Sequence, residues 1–419
     1  MATFPIARKR FNYQWLPKMF EIRSLLTHRA NNCFWLLDLL LLIAGIRSEL
    51  TSHWPAECLI RYFANCLFIC QYIAGILRLI HALDHEEDGS FLIVCEILIV
   101  ISLSFACMKV FAINCLRGSL HTLRNFIIGT RVNSGDESFD EFQQLKFFRS
   151  ARFMMLIVFG LIASDTVLFM IPNRYADVIL GLPPQLYMIG KPASSVVNFL
   201  LVTFSALGFF PKYLSNVTYI GILLIGMHSK LTSLVHRYRL MLNHPVSSPN
   251  QYFEWMSCEV EMVSIQQLEY WNHLRILKNI IGKTFFFVHY FAIFSIGTSG
   301  YAIHNVGFNT LSAISLASTL IFLLEYYLLC LWIDKLQDVA DSLGSTISEL
   351  CTKMPYSREY HSKYFGLRAS LMITWINTQH AFSMDCMGLF KISTSSFTSL
   401  IDTAYTMLMF LTNVCKTEQ

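Results

Sequence analysis

The pattern of apolar and polar positions divides this chain into long apolar runs separated by polar stretches, which predicts an all-α, polytopic membrane protein. Seven runs are long enough to cross a bilayer: residues 57–81, 91–115, 152–171, 193–228, 284–303, 310–333 and 388–414. A 14-residue run from Cys33 to Ile46, carrying Asp38 and bounded by Arg29 and Arg47, is too short for a crossing and predicts an interfacial or re-entrant helix. The fourth run is 36 residues long and contains Pro211 and Lys212, too long for one straight crossing and too short for two. A kinked helix projecting beyond the membrane fits it best. The sequon Asn216-Val217-Thr218 falls at membrane depth and reads as a chance match.

Two polar-looking loops carry helical periodicity of their own. Phe253, Met256, Val260, Val263, Gln267, Tyr270, Leu274, Leu277 and Ile281 alternate steps of three and four. Leu336, Ala340, Leu343, Ile347, Leu350 and Met354 repeat the pattern just past the sixth run. Amphipathic helices of this kind need partners, so the fifth and sixth spans are expected to continue beyond the membrane as a helical stalk. In the last run, Ile401, Tyr405, Leu408 and Thr412 fall on one narrow stripe, with Leu411 beside Leu408 and Asp402 turned away. Phe397 to Val414 would give about 27 Å of helix, and the run Ser393-Thr394-Ser395-Ser396 marks a break before it.

Composition sharpens this picture. At 419 residues the length alone would suit two or three soluble domains, but 54% hydrophobic residues, 14% charged residues and 34 Phe exclude a water-soluble core. Lys and Arg decide the orientation. Twenty-five fall on the N-terminal segment and the three loops on its side, counting the flanking Lys109 and Arg152, against Arg174, Lys191 and Lys416 opposite. The N-terminus is therefore expected inside and, after seven crossings, the C-terminus outside. A G-protein-coupled receptor has the reverse orientation, and its Asp-Arg-Tyr and Asn-Pro-x-x-Tyr signatures are absent from the sequence. The loop from Asp84 to Asp88, with four acids in five residues, falls on the outer side. The basic cluster Arg8-Lys9-Arg10 has no apolar run behind it until about residue 33, so no cleavable signal is expected. A net charge of +4 without a basic stripe gives no indication of nucleic-acid binding.

Candidate chemistry is sparse. The twelve Cys are scattered singly and have no metal-site or disulfide-framework spacing. Glu96, Asp165, Glu325 and Asp402 lie inside apolar spans, where an ionised group is costly. Each suits a ligand or ion, or more simply a protonated or paired structural role. No nucleophile with its base, phosphate loop or dinucleotide fingerprint is present, so no catalytic residue, cofactor or metal is assigned and an enzyme is not expected. The outer halves of the second, third, fourth and sixth spans supply Phe91, Phe169, Phe199, Phe204, Phe209 and Phe322, with Thr203 and Ser205 nearby. Converging, they would line an apolar pocket with a few hydroxyls, suited to a small volatile or lipophilic molecule. The simpler account of any single Phe is packing.

The residues at the C-terminal end carry a family resemblance. Gly388-Leu389-Phe390-Lys391-Ile392-Ser393, then Phe397, Ala404-Tyr405-Thr406 and Leu411, resembles the C-terminal signature of insect odorant receptors, with fifteen residues from Phe390 to Tyr405. Met108 to Leu123 is similar to the basic inner end of that family's second span. The resemblance implies a tetrameric ligand-gated cation channel in the plasma membrane of sensory-neuron dendrites, in which this subunit binds the odorant and assembles with the odorant receptor co-receptor. Carried over residue by residue, the gate-lining stripe becomes Leu408, Leu411 and Thr412, after Tyr405. The co-receptor's Thr-Tyr and Gln-Leu are replaced here by Ala404-Tyr405 and Leu411-Thr412, which points to a tuning subunit; Thr406 also stands where the family usually has Ser. The implied organisation is an N-terminal segment at 1–56, a ligand-binding bundle at 57–235, cytoplasmic anchor helices with spans five and six at 236–387, and a terminal pore helix at 388–414. A divergent gustatory receptor channel is the alternative. A secondary transporter would need two similar halves, and no internal repeat is found; a metabotropic receptor would carry Met1 outside.

Overall fold

The computed structural model describes residues 34–47, 56–84, 90–171, 179–245, 248–306 and 310–416. The cluster Arg8-Lys9-Arg10, Arg174 and most of the acidic loop after Asp84 lie outside the described residues, as do the side chains of Phe91 and Leu411. Among the described residues ten α-helices follow in order: α1 Phe34–Ile43, α2 Glu57–Asp84, α3 Ser90–Cys115, α4 Arg117–Ile128, α5 Glu137–Met170, α6 Lys191–Leu242, α7 Pro249–Val306, α8 Thr310–Lys353, α9 His361–Ala381 and α10 Thr394–Lys416. Between α9 and α10 sits a two-stranded hairpin, β1 Asp385–Cys386 and β2 Phe390–Lys391. The chain is an all-α, multi-pass membrane protein: α2, α3, α5, α6, α7 and α8 are each long and apolar enough to cross a bilayer. The seventh expected span, α10, is about 34 Å long by its 23 residues, but Ser, Thr and Asp402 dilute its apolar character.

The hub is α6, 52 residues and about 78 Å long, packed against α1, α2, α3, α5 and α8. From Phe210 to Met227 every residue is buried, so this stretch has no lipid or water face. The helix runs on through Pro211 as one element. Beside the proline, Lys212 is buried and donates to the Ala44 carbonyl and to Asn65 Oδ1, both at 2.6 Å. Asn216 is buried as well, its amide facing the Lys109 carbonyl, so the sequon lies within the bundle.

The expected stalk is present. α7 reaches about 87 Å and α8 about 66 Å, so both run far past a bilayer thickness. All nine residues of the Phe253–Ile281 stripe are buried, as are all six from Leu336 to Met354. The one polar member, Gln267, accepts from Tyr238 Oη at 2.6 Å and donates to Thr378 Oγ1 at 3.0 Å, tying α6, α7 and α9 together. A buried amide is tolerable there because each end has a partner.

Two local expectations change. The short helix α1 is not an interfacial element: Phe34, Leu37, Leu40, Leu41 and Leu42 are buried against the bundle, and α1 packs on α6, α2 and α5. Its Asp38 is held by both Nη atoms of Arg124, at 3.0 and 2.9 Å, so its polarity is answered by α4. The terminal span does not begin at 388. Met387 and Gly388 take positive φ, 50° and 78°, which turns the chain into the hairpin, and α10 starts only at Thr394.

Candidate functional site

The intramembrane carboxylates sort themselves by partner. Glu96 on α3 receives Arg78 Nε from α2 at 3.1 and 3.3 Å. Glu325 on α8 pairs with Lys109 Nζ from α3, which also donates to the Tyr213 carbonyl at 3.2 Å and sits 3.5 Å from the centre of the Tyr213 ring. These two acids are structural ion pairs rather than free ligands. Asp165 is buried on α5, and its Oδ2 has no hydrogen-bond partner among the described residues. Asp402 is exposed on α10.

Above the Lys109–Glu325 pair lies a cavity of about 160 Å³. Its walls come from α3 (Cys95, Leu98, Ile99, Ser102), α5 (Phe169), α6 (Ser205, Ala206, Phe209, Phe210), α7 (Ser299) and α8 (Ser315, Ser318, Phe322). An aromatic cluster forms its floor, with Phe322 and Tyr213 ring centres 5.0 Å apart and Phe291 stacked on Phe105 at 4.1 Å. Ile179 and Leu180 contribute from the loop before α6. That loop is pinned: Arg78 Nη1 donates to the Gly181 carbonyl at 2.6 Å, and the Leu182 N–H donates to Asn198 Oδ1 at 2.7 Å. The Arg78–Glu96 pair thus holds one side of the enclosure. Aromatic walls with a few hydroxyls suit a small, mostly apolar molecule carrying one or two polar atoms.

Phe169, Ser205, Phe209 and Phe322 are brought together in this cavity. Phe199 is not part of it: it is 60% exposed on the outer face of α6. Thr203 is buried outside the lining, and Phe204 is half-buried with its carbonyl accepting from Gln71 Nε2 at 2.9 Å. Phe91 lies in the first turn of α3. Ser102, Ser299, Ser315 and Ser318 join the lining; a lone Ser in an apolar span has no period to mark it, and only the helix crossing points gather them.

At the other candidate site, the signature residues form the junction that launches α10. The hairpin pairs Asp385 with Lys391 and Cys386 with Phe390. Phe390 packs on His289, Phe397 packs on Tyr327, and Ile392 is fully buried. Asp334 of α8 accepts from the Thr394 N–H at 2.8 Å, satisfying an otherwise open donor at the start of α10. The buried side of α10 packs on α7, where Gly297 faces Met407 and Gly300 faces Leu408. The stripe of Ile401, Tyr405, Leu408 and Thr412 runs along the edge of this contact. Tyr405 is 62% exposed and Leu408 is half-buried. Thr412 Oγ1 donates to the Leu408 carbonyl at 3.0 Å. Asp402 is exposed and, with Thr398, Tyr405, Thr406 and Met409, belongs to a largely polar face that the chain's own helices leave uncovered.

No protein-family model matches the chain, and no curated protein matches it. Solved structures do. The insect olfactory receptor OR5 from Machilis hrabei matches with a TM-score of 0.68 at 12% identity, over 94% of this chain and 99% of that one. The structure of the same receptor in complex with eugenol matches with a TM-score of 0.67 at 12% identity, over 91% and 98%. At that identity the likeness speaks for the backbone: over nearly its whole length, this chain has the fold of an insect olfactory receptor.

Proposed function

We propose that the chain is an odorant receptor, the tuning subunit of a heteromeric, ligand-gated, non-selective cation channel in the plasma membrane of sensory neurons, where it assembles as a tetramer with the odorant receptor co-receptor. The observation that carries this reading is the roofed cavity of Phe169, Phe209, Phe322 and clustered serines, in a backbone shared with a receptor whose structure has been solved with eugenol. A small odorant held there shifts the channel only as far as it binds one arrangement of the bundle more tightly than the other, tenfold for each 1.4 kcal/mol or so. Two further features support assembly and conduction. Ile265, Leu268, Phe365 and Ile373 are exposed apolar residues on the stalk helices α7 and α9, a surface suited to another subunit. The uncovered polar face of α10 costs least where it borders water, as it would around a central ion path.

Occluding the cavity tests ligand binding. Ser318→Phe places a ring among Phe209, Phe322 and Ser205, and responses to volatiles that activate the wild-type channel are expected to fall at least about tenfold in potency. Surface expression should be unchanged. Wild-type dose-response curves in that variant would move the ligand elsewhere.

The gate assignment of Leu408, Leu411 and Thr412 with Tyr405 is tested separately. Leu408→Glu, expressed with the co-receptor, is expected to produce leak current or altered cation selectivity, since a carboxylate on a constriction favours its wetting. Unaltered currents would remove α10 from the ion path.

A further inference from the structure

A second cavity, about 340 Å³, lies along three of the five helices that wall the first, but towards the opposite end of the bundle. α5 supplies Met154 and Val158, α6 supplies Val217 and Gly221, and α8 supplies Leu324 and Leu328. Glu325, already paired with Lys109, lines it near the end that faces the first cavity. Such a groove within a membrane-crossing bundle has hydrocarbon as its surrounding solvent, so an acyl chain fills it without exposing apolar wall.

The other end has a different character. There Trp332 and Lys335 of α8 line the groove, with Lys335 Nζ 4.5 Å from the centre of the Trp332 ring. His228 of α6 meets the same ring edge-on, at 6.2 Å between centres. Lys146 stands on α5 one turn before Ser150, which lines the same groove, and with Lys335 it acts on the charge of His228; Asp338 is the one acid in that set. Lys146 and Lys335 are exposed. This mouth lies on the side of the membrane where Lys and Arg concentrate, the side on which anionic lipid is found. An apolar groove capped by two lysines and an indole matches a molecule with a hydrocarbon tail and a negative head.

We infer that this groove is a binding site for one anionic phospholipid, its acyl chain between α5, α6 and α8 and its phosphate at Lys146 and Lys335. Because those helices also wall the upper cavity, a lipid held there braces the elements that any ligand must rearrange. The inference does not depend on what the upper cavity binds.

The test is native mass spectrometry of the full chain, released from detergent micelles doped with either phosphatidylserine or phosphatidylcholine. The wild type is expected to retain one phosphatidylserine in preference to phosphatidylcholine. Lys146→Gln and Lys335→Gln should each weaken that preference about fivefold, the worth of one surface lysine near an anionic headgroup. Leu328→Trp keeps both lysines but fills the groove, and it should lose phosphatidylserine as well. Equal retention of the two lipids, or a preference unmoved by the lysine variants, would overturn the proposal. So would undiminished retention in Leu328→Trp, or displacement of the lipid by soluble glycerophosphoserine at equal concentration, which would show an anion site without a tail.

Discussion

Replacing Lys109 with Met is expected to destabilise the folded chain by about 3–5 kcal/mol, the cost of leaving a buried carboxylate without its counter-ion. Lys109 and Glu325 are both buried, 3% and 4% exposed, and lie 216 residues apart in sequence, on α3 and α8. The lysine also joins α3 to the Tyr213 carbonyl of α6, so its loss opens three helices at once. Thermal unfolding of the detergent-purified chain, followed by size-exclusion chromatography, checks this. A double variant, Lys109→Met with Glu325→Leu, should recover most of the loss, because an apolar pair of similar volume replaces a buried ion pair with little cost. A single variant as stable as the wild type would mean that Glu325 is neutral in the folded protein.

The second large effect is expected at the contact between α7 and α10. A side chain at Gly300 would place its first carbon 3.2 Å from Leu408 Cδ2, and one at Gly297 would place it 3.0 Å from Met407. Small residues at two points one turn apart let the helices approach closely, and membrane helices associate largely through such packing. Gly300→Phe must therefore push α10 away from α7, at a cost of about 1–3 kcal/mol. If α10 borders the ion path, basal current should change along with stability in cells that also express the co-receptor. A Gly300→Phe channel with wild-type melting and wild-type currents would show that this contact carries neither stability nor gating.

Elements whose information is periodic are legible in the amino-acid sequence itself. The buried stripe of α7 from Phe253 to Ile281 is visible because side chains three and four apart share a helix face, whatever the rest of the chain does. Even its exception, Gln267, is explained by one residue on each neighbouring helix, Tyr238 and Thr378, rather than by a break in the pattern. The cavity is legible in part. Phe169, Ser205, Phe209 and Phe322 lie on the facing sides of their helices, whereas Phe199, ten residues before Phe209 on α6, faces outwards. Which of several aromatics on one helix points inwards depends on the angle at which its neighbours cross, and composition does not encode that angle.

Hydropathy and helical period were sufficient for the membrane class, six of the seven expected spans and the stalk, because each is a property of residues near one another in the chain. Tertiary structure alone decided which intramembrane charges are paired, that the helix of Phe34–Ile43 is enclosed by protein, and that Asp334 caps the helix beginning at Thr394. It also decided that Lys109 lies under the cavity floor. Each of these joins groups tens to hundreds of residues apart. A buried charge or an open helix end demands a partner on energetic grounds, but only the packing of whole helices determines which partner arrives.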